Sequence, residues 1–380
     1  MQQWMREEET KRRWYVQGRK SRHRSPADIE KIVCLNYAEG MRSFFITDDN
    51  FARNKDWESI LDRLIHLREI EKLDIGFIIQ VDTLCHKLPN FIEKCARAGV
   101  RRLFIGLENI NPDNLLGAKK RQNKITEYRK MLLAWKAARV ITYAGYILGF
   151  PNDSPASIEH DIEVIKRELP IDLLEFFYLT PLPGSEDHRR LVKAGTALDA
   201  DLNKYDLNHV TTAHPRMSRE EGERTYLTAW QRYYTIDHIQ TVLRRVASVG
   251  ANASNALFLI TWFKGSVISR RSTRSNAVSF DARSVATDAP ASRSSRPGAS
   301  IRSTSETAAK LARWGWLYLR LRRIYLSIKH DPQRFQYTDL AMTAVADDET
   351  ETRELFRTAA AQTYLTQERR LEKMRQGQTA

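Results

Sequence analysis

Residues 143–154 read YAGYILGFPNDS, and no other stretch narrows the possible folds so far. Its apolar half, 143–148, has the length and composition of a strand covered on both faces. Gly149 allows a turn or a close approach of backbone to ligand, and Pro151 keeps a helix from starting early. Ser154 can then cap a helix whose first residue is Pro155. Taken singly this is one strand-to-helix connection. Its force comes from repetition.

The same event recurs over residues 25–185. Ser25 and Pro26 open a helix to about residue 39, closed by Gly40. A short buried strand, SFFIT at 43–47, runs into Asp48, Asp49 and Asn50. A helix over 56–70 precedes the strand IGFIIQV at 75–81, which ends at Asp82. A helix over 88–98, closed by Gly99, leads to a strand at 102–106 that ends in Leu107, Glu108 and Asn109. A helix over 124–138 leads to the strand of residues 141–148, and a helix over 156–168 to a last strand at 173–179. Five strands alternating with helices predict right-handed βαβ units and a parallel sheet. In such folds ligands bind at the C-terminal ends of the strands. Acidic residues, asparagines and glycines fall there every time, which predicts a ligand site along that rim.

Beyond residue 190 the chain reads as helical. A helix over 220–246 carries Tyr226, Trp230, Tyr233 and Tyr234 at packing spacing. Residues 264–305 change character, with twelve serines and eight Lys/Arg, and offer little to bury. They are expected to be disordered, or to be the product of a shifted reading frame. A strong helix returns from Ala308 to His330, basic and aromatic, which could touch a membrane surface peripherally. A last polar helix over about 347–375 is expected to be solvated.

Net charge is +14, and it is unevenly placed. Residues 1–24, an irregular arm, hold +5, and residues 264–305 hold +6. That location weakens a nucleic-acid reading, so no specific nucleic-acid partner is expected. No apolar run approaches the roughly 18 residues that cross a bilayer, and no secretion signal is evident. Three cysteines make no disulfide framework, so a cytoplasmic location is expected.

The segments GRKSRHRSP, FFITDDNFARN, GLENI, GYILGFPNDSPASI and LTPLPGS together resemble the radical S-adenosylmethionine (SAM) superfamily, in its cobalamin-associated branch. The resemblance implies a partial (β/α) barrel over 25–190, a helical extension over 191–263 and C-terminal helices over 306–380. It implies SAM and a [4Fe-4S] cluster as family cofactors, with cobalamin as a candidate methyl carrier, and radical chemistry such as methyl transfer or carbon-skeleton change on an unknown small molecule. By the same resemblance Asp48, Asp49 and Asn50 lie near the SAM amino group, Glu108 near its ribose or the substrate, and Gly145, Ile147 and Gly149 at the adenine. Carboxylates suit an ammonium and hydroxyls, and a glycine edge admits a flat base.

One departure is decisive for chemistry. The family holds its cluster through a CxxxCxxC loop, because soft thiolates hold iron clusters. This chain has only Cys34, Cys85 and Cys95, at other spacing, so no cluster is expected on it and its catalytic residues are unknown. Two explanations stand: an inactive, truncated or frame-shifted product of a radical SAM gene, or a non-catalytic protein that keeps the scaffold to bind SAM, a nucleotide or a partner protein.

Overall fold

A computed structural model of the chain describes residues 24–120, 122–271, 297–346 and 348–377. The irregular arm expected before residue 24 lies almost wholly outside the described residues. The first helix, α1 (Pro26–Ala38), begins as expected. The Ser25 hydroxyl accepts from the Asp28 amide, and the Asp28 carboxylate closes the reciprocal bond. Four βα units follow: β1 (Ser43–Phe45), α2 (Trp57–Glu69), β2 (Gly76–Val81), α3 (Phe91–Ala98), β3 (Val100–Glu108), α4 (Pro112–Gly117), α5 (Ile125–Ala137), β4 (Ile141–Leu148), α6 (Pro155–Glu168) and finally β5 (Leu173–Tyr178). All four strand pairings are parallel and run in chain order, β1 to β5, which makes a half-barrel.

The two faces of this sheet differ in what they bury. Phe77, Ile79 and Val81 of β2, Leu103, Ile105 and Leu107 of β3, and Leu174, Phe176 and Tyr178 of β5 point to the helices and are buried. Alternation puts Gln80, Arg102, Phe104, Tyr143, Ile147 and Phe177 on the inner face, where each is half-buried. Register makes this face orderly: Gln80, Phe104 and Tyr143 lie side by side, as do Gly106, Gly145 and Glu175 in the next layer.

Several expectations need correction. β1 is an edge strand and is not buried. Phe44 stacks on Phe77 with ring centroids 5.6 Å apart, but Phe45 on the inner face is 52% exposed, because β1 has one neighbour only. The helix expected over 220–246 is two helices, α8 (Arg219–Tyr233) and α9 (Ile236–Ser248), after a short α7 (Glu186–Lys193). The break comes from Thr235, whose hydroxyl accepts from the His238 amide and starts a new helix. Helix α10 (Ala253–Arg271) and helix α11 (Pro297–Lys329) extend into both ends of the Ser/Arg-rich segment, so 264–271 and 297–305 are helical; 272–296 lie outside the described residues.

The aromatic residues of α8 pack, as their spacing predicts. The Tyr234 hydroxyl accepts from the Leu174 amide at 3.1 Å and donates to the Leu174 carbonyl at 2.9 Å, which occupies the free edge of β5. Phe263 of α10 stacks on Tyr234 and reaches across to Tyr143 of β4 at 5.4 Å.

The C-terminal segment is also not simply solvated. A short α12 (Glu349–Thr352) and a turn precede α13 (Ala359–Gly377), and Leu355, Phe356, Ala361 and Leu365 are buried. Two buried side chains of the barrel hold this segment. Arg129 of α5 pairs with Glu349 and donates to the carbonyls of Ala341 and Thr343, each at 2.7 Å. Glu168 of α6 accepts from the amides of Glu354 and Leu355 at 3.0 and 2.9 Å.

Candidate functional site

The loops at the C-terminal ends of the strands are tied to one another by short polar side chains. After β1, Asp48 uses both oxygens: one accepts from the Asn50 amide at 3.0 Å, the other from Asn54 Nδ2 at 2.9 Å. Asn50 then bonds both ways with Asp82 after β2, donating through Nδ2 at 3.0 Å and accepting the Asp82 amide at 3.2 Å. Asp82 also holds Arg53 and caps the Leu84 amide. Asp48 and Asn50 are therefore spent on the loop's own shape. Asp49 is exposed and has no partner among the described residues. Of the three, it is the carboxylate left for a ligand.

Glu108 closes β3 with an unusual backbone. Its φ is +65°, in the left-handed region that side chains other than glycine seldom enter, at a cost of order 1–3 kcal/mol. The cause is a bulge: the β3–β4 register slips between Gly106, opposite Gly145, and Glu108, opposite Tyr146. The bulge turns the Glu108 carboxylate back over Gly106, where Oε1 lies 3.0 Å from the place a Cβ would occupy. Lys120 reaches the same carboxylate at 2.8 Å. Asn123 holds the bulge open from behind, donating to the carbonyls of Gly106 and Leu107 at 2.7 and 3.0 Å.

The three residues matched to the adenine have different surroundings. Gly145 lies on the inner face, but its space is filled by ring tips: a Cβ there would meet Phe104 Cζ at 2.8 Å and Phe177 Cε2 at 3.0 Å. A flat base arriving here meets phenyl rings as much as a glycine edge. Ile147 shares that face, and its carbonyl accepts from Asn109 Nδ2 at 3.2 Å. Gly149 faces the other way. Its φ is +87°, and a Cβ would meet the Tyr178 ring at 2.7 Å. The geometry gives it a packing task, apart from the inner face.

Sequence reading missed Gly106, Phe104 and Phe177 as members of the site. They meet Glu108 and Gly145 only through strand register, which no local pattern displays. Asp153 falls within the acidic rim that the sequence marks, but the layer it builds under the β4 turn was missed. Asp153 is buried and accepts from the amides of Gly149 and Phe150 at 2.9 and 3.0 Å and from Asn114 Nδ2 at 2.7 Å. From the helical extension, His214 bonds the Phe150 carbonyl at 2.7 Å and Arg216 donates to that of Asn152 at 2.9 Å.

Behind this turn lies Asp161, which accepts from the Tyr146 hydroxyl at 3.0 Å. Burial pushes its carboxyl up to about 7, against an ordinary value near 3.9. The protonated form is favoured in the fold, so its contribution is full below about pH 4 and is lost as pH rises towards 7. Asp161→Asn is expected to flatten that fall and to gain about 1–2 kcal/mol at pH 8, read from urea unfolding at pH 5 and pH 8. An unchanged pH dependence would refute the assignment.

No described residues fit an iron–sulfur cluster. Cys85 and Cys95 are buried, and burial pushes the Cys85 thiol up to about 12 and raises Cys95 well above its usual value, which disfavours the thiolate that iron requires. Cys34 is on α1, half-buried and also raised. Among the described residues no three His, Cys, Asp or Glu side chains are placed to hold a metal.

The family model of the radical SAM superfamily matches residues 8–165. An uncharacterized methyltransferase of Pyrococcus horikoshii is 26% identical over 223 residues, 57% of this chain and 42% of that protein. The hopanoid C-2 methylase of Rhodopseudomonas palustris is 28% identical over 198 residues, 50% of this chain and 36% of that protein. The chain thus spans about two fifths of the length of these curated relatives. Among solved structures, the cobalamin-dependent SAM radical enzyme OxsB with aqua-cobalamin bound superposes with a TM-score of 0.42 at 12% identity, over 83% of this chain and 51% of that one. Residues 8–165, about two fifths of the chain, thus carry a match to the radical SAM superfamily, and the parallel strand order of the half-barrel is consistent with it.

Proposed function

We propose that the inner face of the half-barrel binds SAM, and that this chain's own residues do not carry out its reductive cleavage. One observation carries the reading: the β3 bulge spends backbone strain to hold the Glu108 carboxylate over side-chainless Gly106, on the face where Phe104 and Phe177 offer rings to a base. Strain of this kind persists where the surrounding structure imposes it, and such places cluster at ligand sites. Glu108 is suited to accept from ribose hydroxyls, and Asp49, exposed at the next loop but one, to hold an ammonium. Bound SAM would supply an activated methyl group, or an adenosyl radical where a cluster is available. The relatives with methyltransferase and methylase names favour a methyl acceptor as the substrate of the whole protein. No residue of this chain is assigned to cobalamin.

Calorimetry with SAM tests the reading. We expect weak but measurable binding to the full chain, reduced about tenfold or more by Glu108→Gln and by Asp49→Asn. Asp48→Asn should lower thermal stability instead, since Asp48 shapes its loop. No binding by the parent chain, or no loss in Glu108→Gln, would refute the proposal. Anaerobic reconstitution with iron and sulfide is expected to leave no cluster. About four irons per chain with thiolate-to-iron absorption would contradict the second half of the proposal. Tight SAM binding without a cluster would favour a protein that keeps the scaffold for binding alone; weak binding favours a chain that lacks its catalytic part.

A further inference from the structure

Helix α10, which meets the half-barrel through Phe263, packs on another side against α11, with Trp262 and Trp314 edge to face at 6.0 Å. Between residues 256 and 265 of α10, every residue but two is buried or half-buried. The two are Phe258 and Trp262, one helical turn apart, 63% and 55% exposed. Beside them α11 buries Leu317, Leu321 and Ile328 and leaves Leu311, Trp316 and Leu319 at 68%, 61% and 62% exposure. Large apolar side chains in this number, close together and in water, mark an interaction surface.

The charge around them is of one sign. From residue 308 to 330 there are six Lys/Arg and no Asp or Glu. All six (Lys310, Arg313, Arg320, Arg322, Arg323 and Lys329) lack an acidic partner among the described residues. Arg320 lies 5.4 Å from the Trp316 ring centroid, an arrangement that leaves the guanidinium at the solvent edge of the apolar patch. No described helix is long and apolar enough to cross a membrane.

We propose that the α10–α11 hairpin docks on an anionic lipid surface, with Phe258, Trp262, Leu311 and Leu319 entering the interface and the α11 cations meeting the headgroups. Aromatic and aliphatic anchors rimmed by unpaired arginines are what such a surface selects. Nucleic acid would be met by the cations but has no use for exposed leucines. The surface is separate from the inner face of the half-barrel, so the proposal does not depend on SAM binding.

Co-sedimentation of the full chain with vesicles tests it. At physiological salt we expect binding to phosphatidylcholine vesicles containing about a third phosphatidylglycerol, and at least tenfold weaker binding to phosphatidylcholine alone. The triple variant Phe258→Ser, Leu311→Ser, Leu319→Ser changes only exposed side chains and should keep its circular dichroism spectrum while losing binding at least tenfold. Arg320→Gln, Arg322→Gln, Arg323→Gln should also lose it. The chain's other basic stretches remain in both variants. If the serine variant binds as well as the parent, attraction is by charge alone and the proposal fails. It also fails if the parent ignores anionic vesicles, or if sedimentation velocity shows a dimer of the parent that the serine substitutions abolish, since the patch then belongs to a second copy.

Discussion

Gly149→Ala should destabilise this protein by about 3 kcal/mol, while Gly145→Ala, four residues away in the same motif, should cost about 1 kcal/mol or less. Two terms act at Gly149. Alanine at φ +87° pays for a left-handed backbone, roughly 1–2 kcal/mol. Its methyl also meets the Tyr178 ring at 2.7 Å, and forcing a group into filled space costs about 1–3 kcal/mol. The ring has no room to retreat, because its hydroxyl lies 2.7 Å from the Cβ position of Gly222 on the other side. At Gly145 the backbone is ordinary strand, and the methyl meets the far ends of Phe104 and Phe177 on a half-open face, where rings can swing. The expected loss there is in ligand affinity, since the displaced rings narrow the inner face. Thermal unfolding and SAM calorimetry on the two variants separate the effects. Equal stability losses would show that both glycines serve packing alone. A stable Gly149→Ala would show that Tyr178 is not held as the structure places it.

That contrast also shows how far the sequence could be read. The order and kind of the barrel's elements were legible because each strand is a short apolar run with punctuation at both ends. Ser25–Pro26 and Ser154–Pro155 announce helix starts by capping chemistry that acts within four residues. The rim was legible too, since Asp82, Glu108 and Gly149 follow their strands directly. What each rim residue does was not. Asp48 and Asp49 are adjacent and chemically alike, yet the first is consumed by Asn50 and Asn54 and the second has no partner among the described residues. Gly145 and Gly149 look equivalent in GYILG and share the parity of one strand face, and only the left-handed turn just past the end of β4 swings Gly149 away from the inner face towards Tyr178. Gly106 gained its place from a bulge and a register that depend on the neighbouring strand. The burial of 355–365 depends on partners more than 180 positions away, such as Glu168. A polar composition there suggested a solvated helix because polarity was counted and long-range partners could not be.

Arg129→Met is expected to cost about 3–5 kcal/mol and to release the C-terminal segment from the half-barrel. Arg129 is 2% exposed, and burial lowers its guanidinium from the usual range, the sign that its charge is held out of water. It keeps that charge because Glu349 faces it and the carbonyls of Leu340, Ala341 and Thr343 accept from it. Removing Arg129 leaves the buried Glu349 carboxylate with only Arg353, at 4.0 Å, and that poorly compensated charge accounts for most of the loss. Methionine fills much of the same volume, so a cavity contributes little. The double variant Arg129→Met, Glu349→Gln should therefore recover part of the loss, which an effect of shape alone would not do. Limited proteolysis gives a local reading. Cleavage within 340–358 should rise many-fold in Arg129→Met and fall back in the double variant, while the β2–β5 core stays protected, because that core is closed by its own helices and by Tyr234. If both variants unfold as one unit, the segment is part of the half-barrel's cooperative core. If neither loses stability, the Arg129–Glu349 contact does not hold the two together.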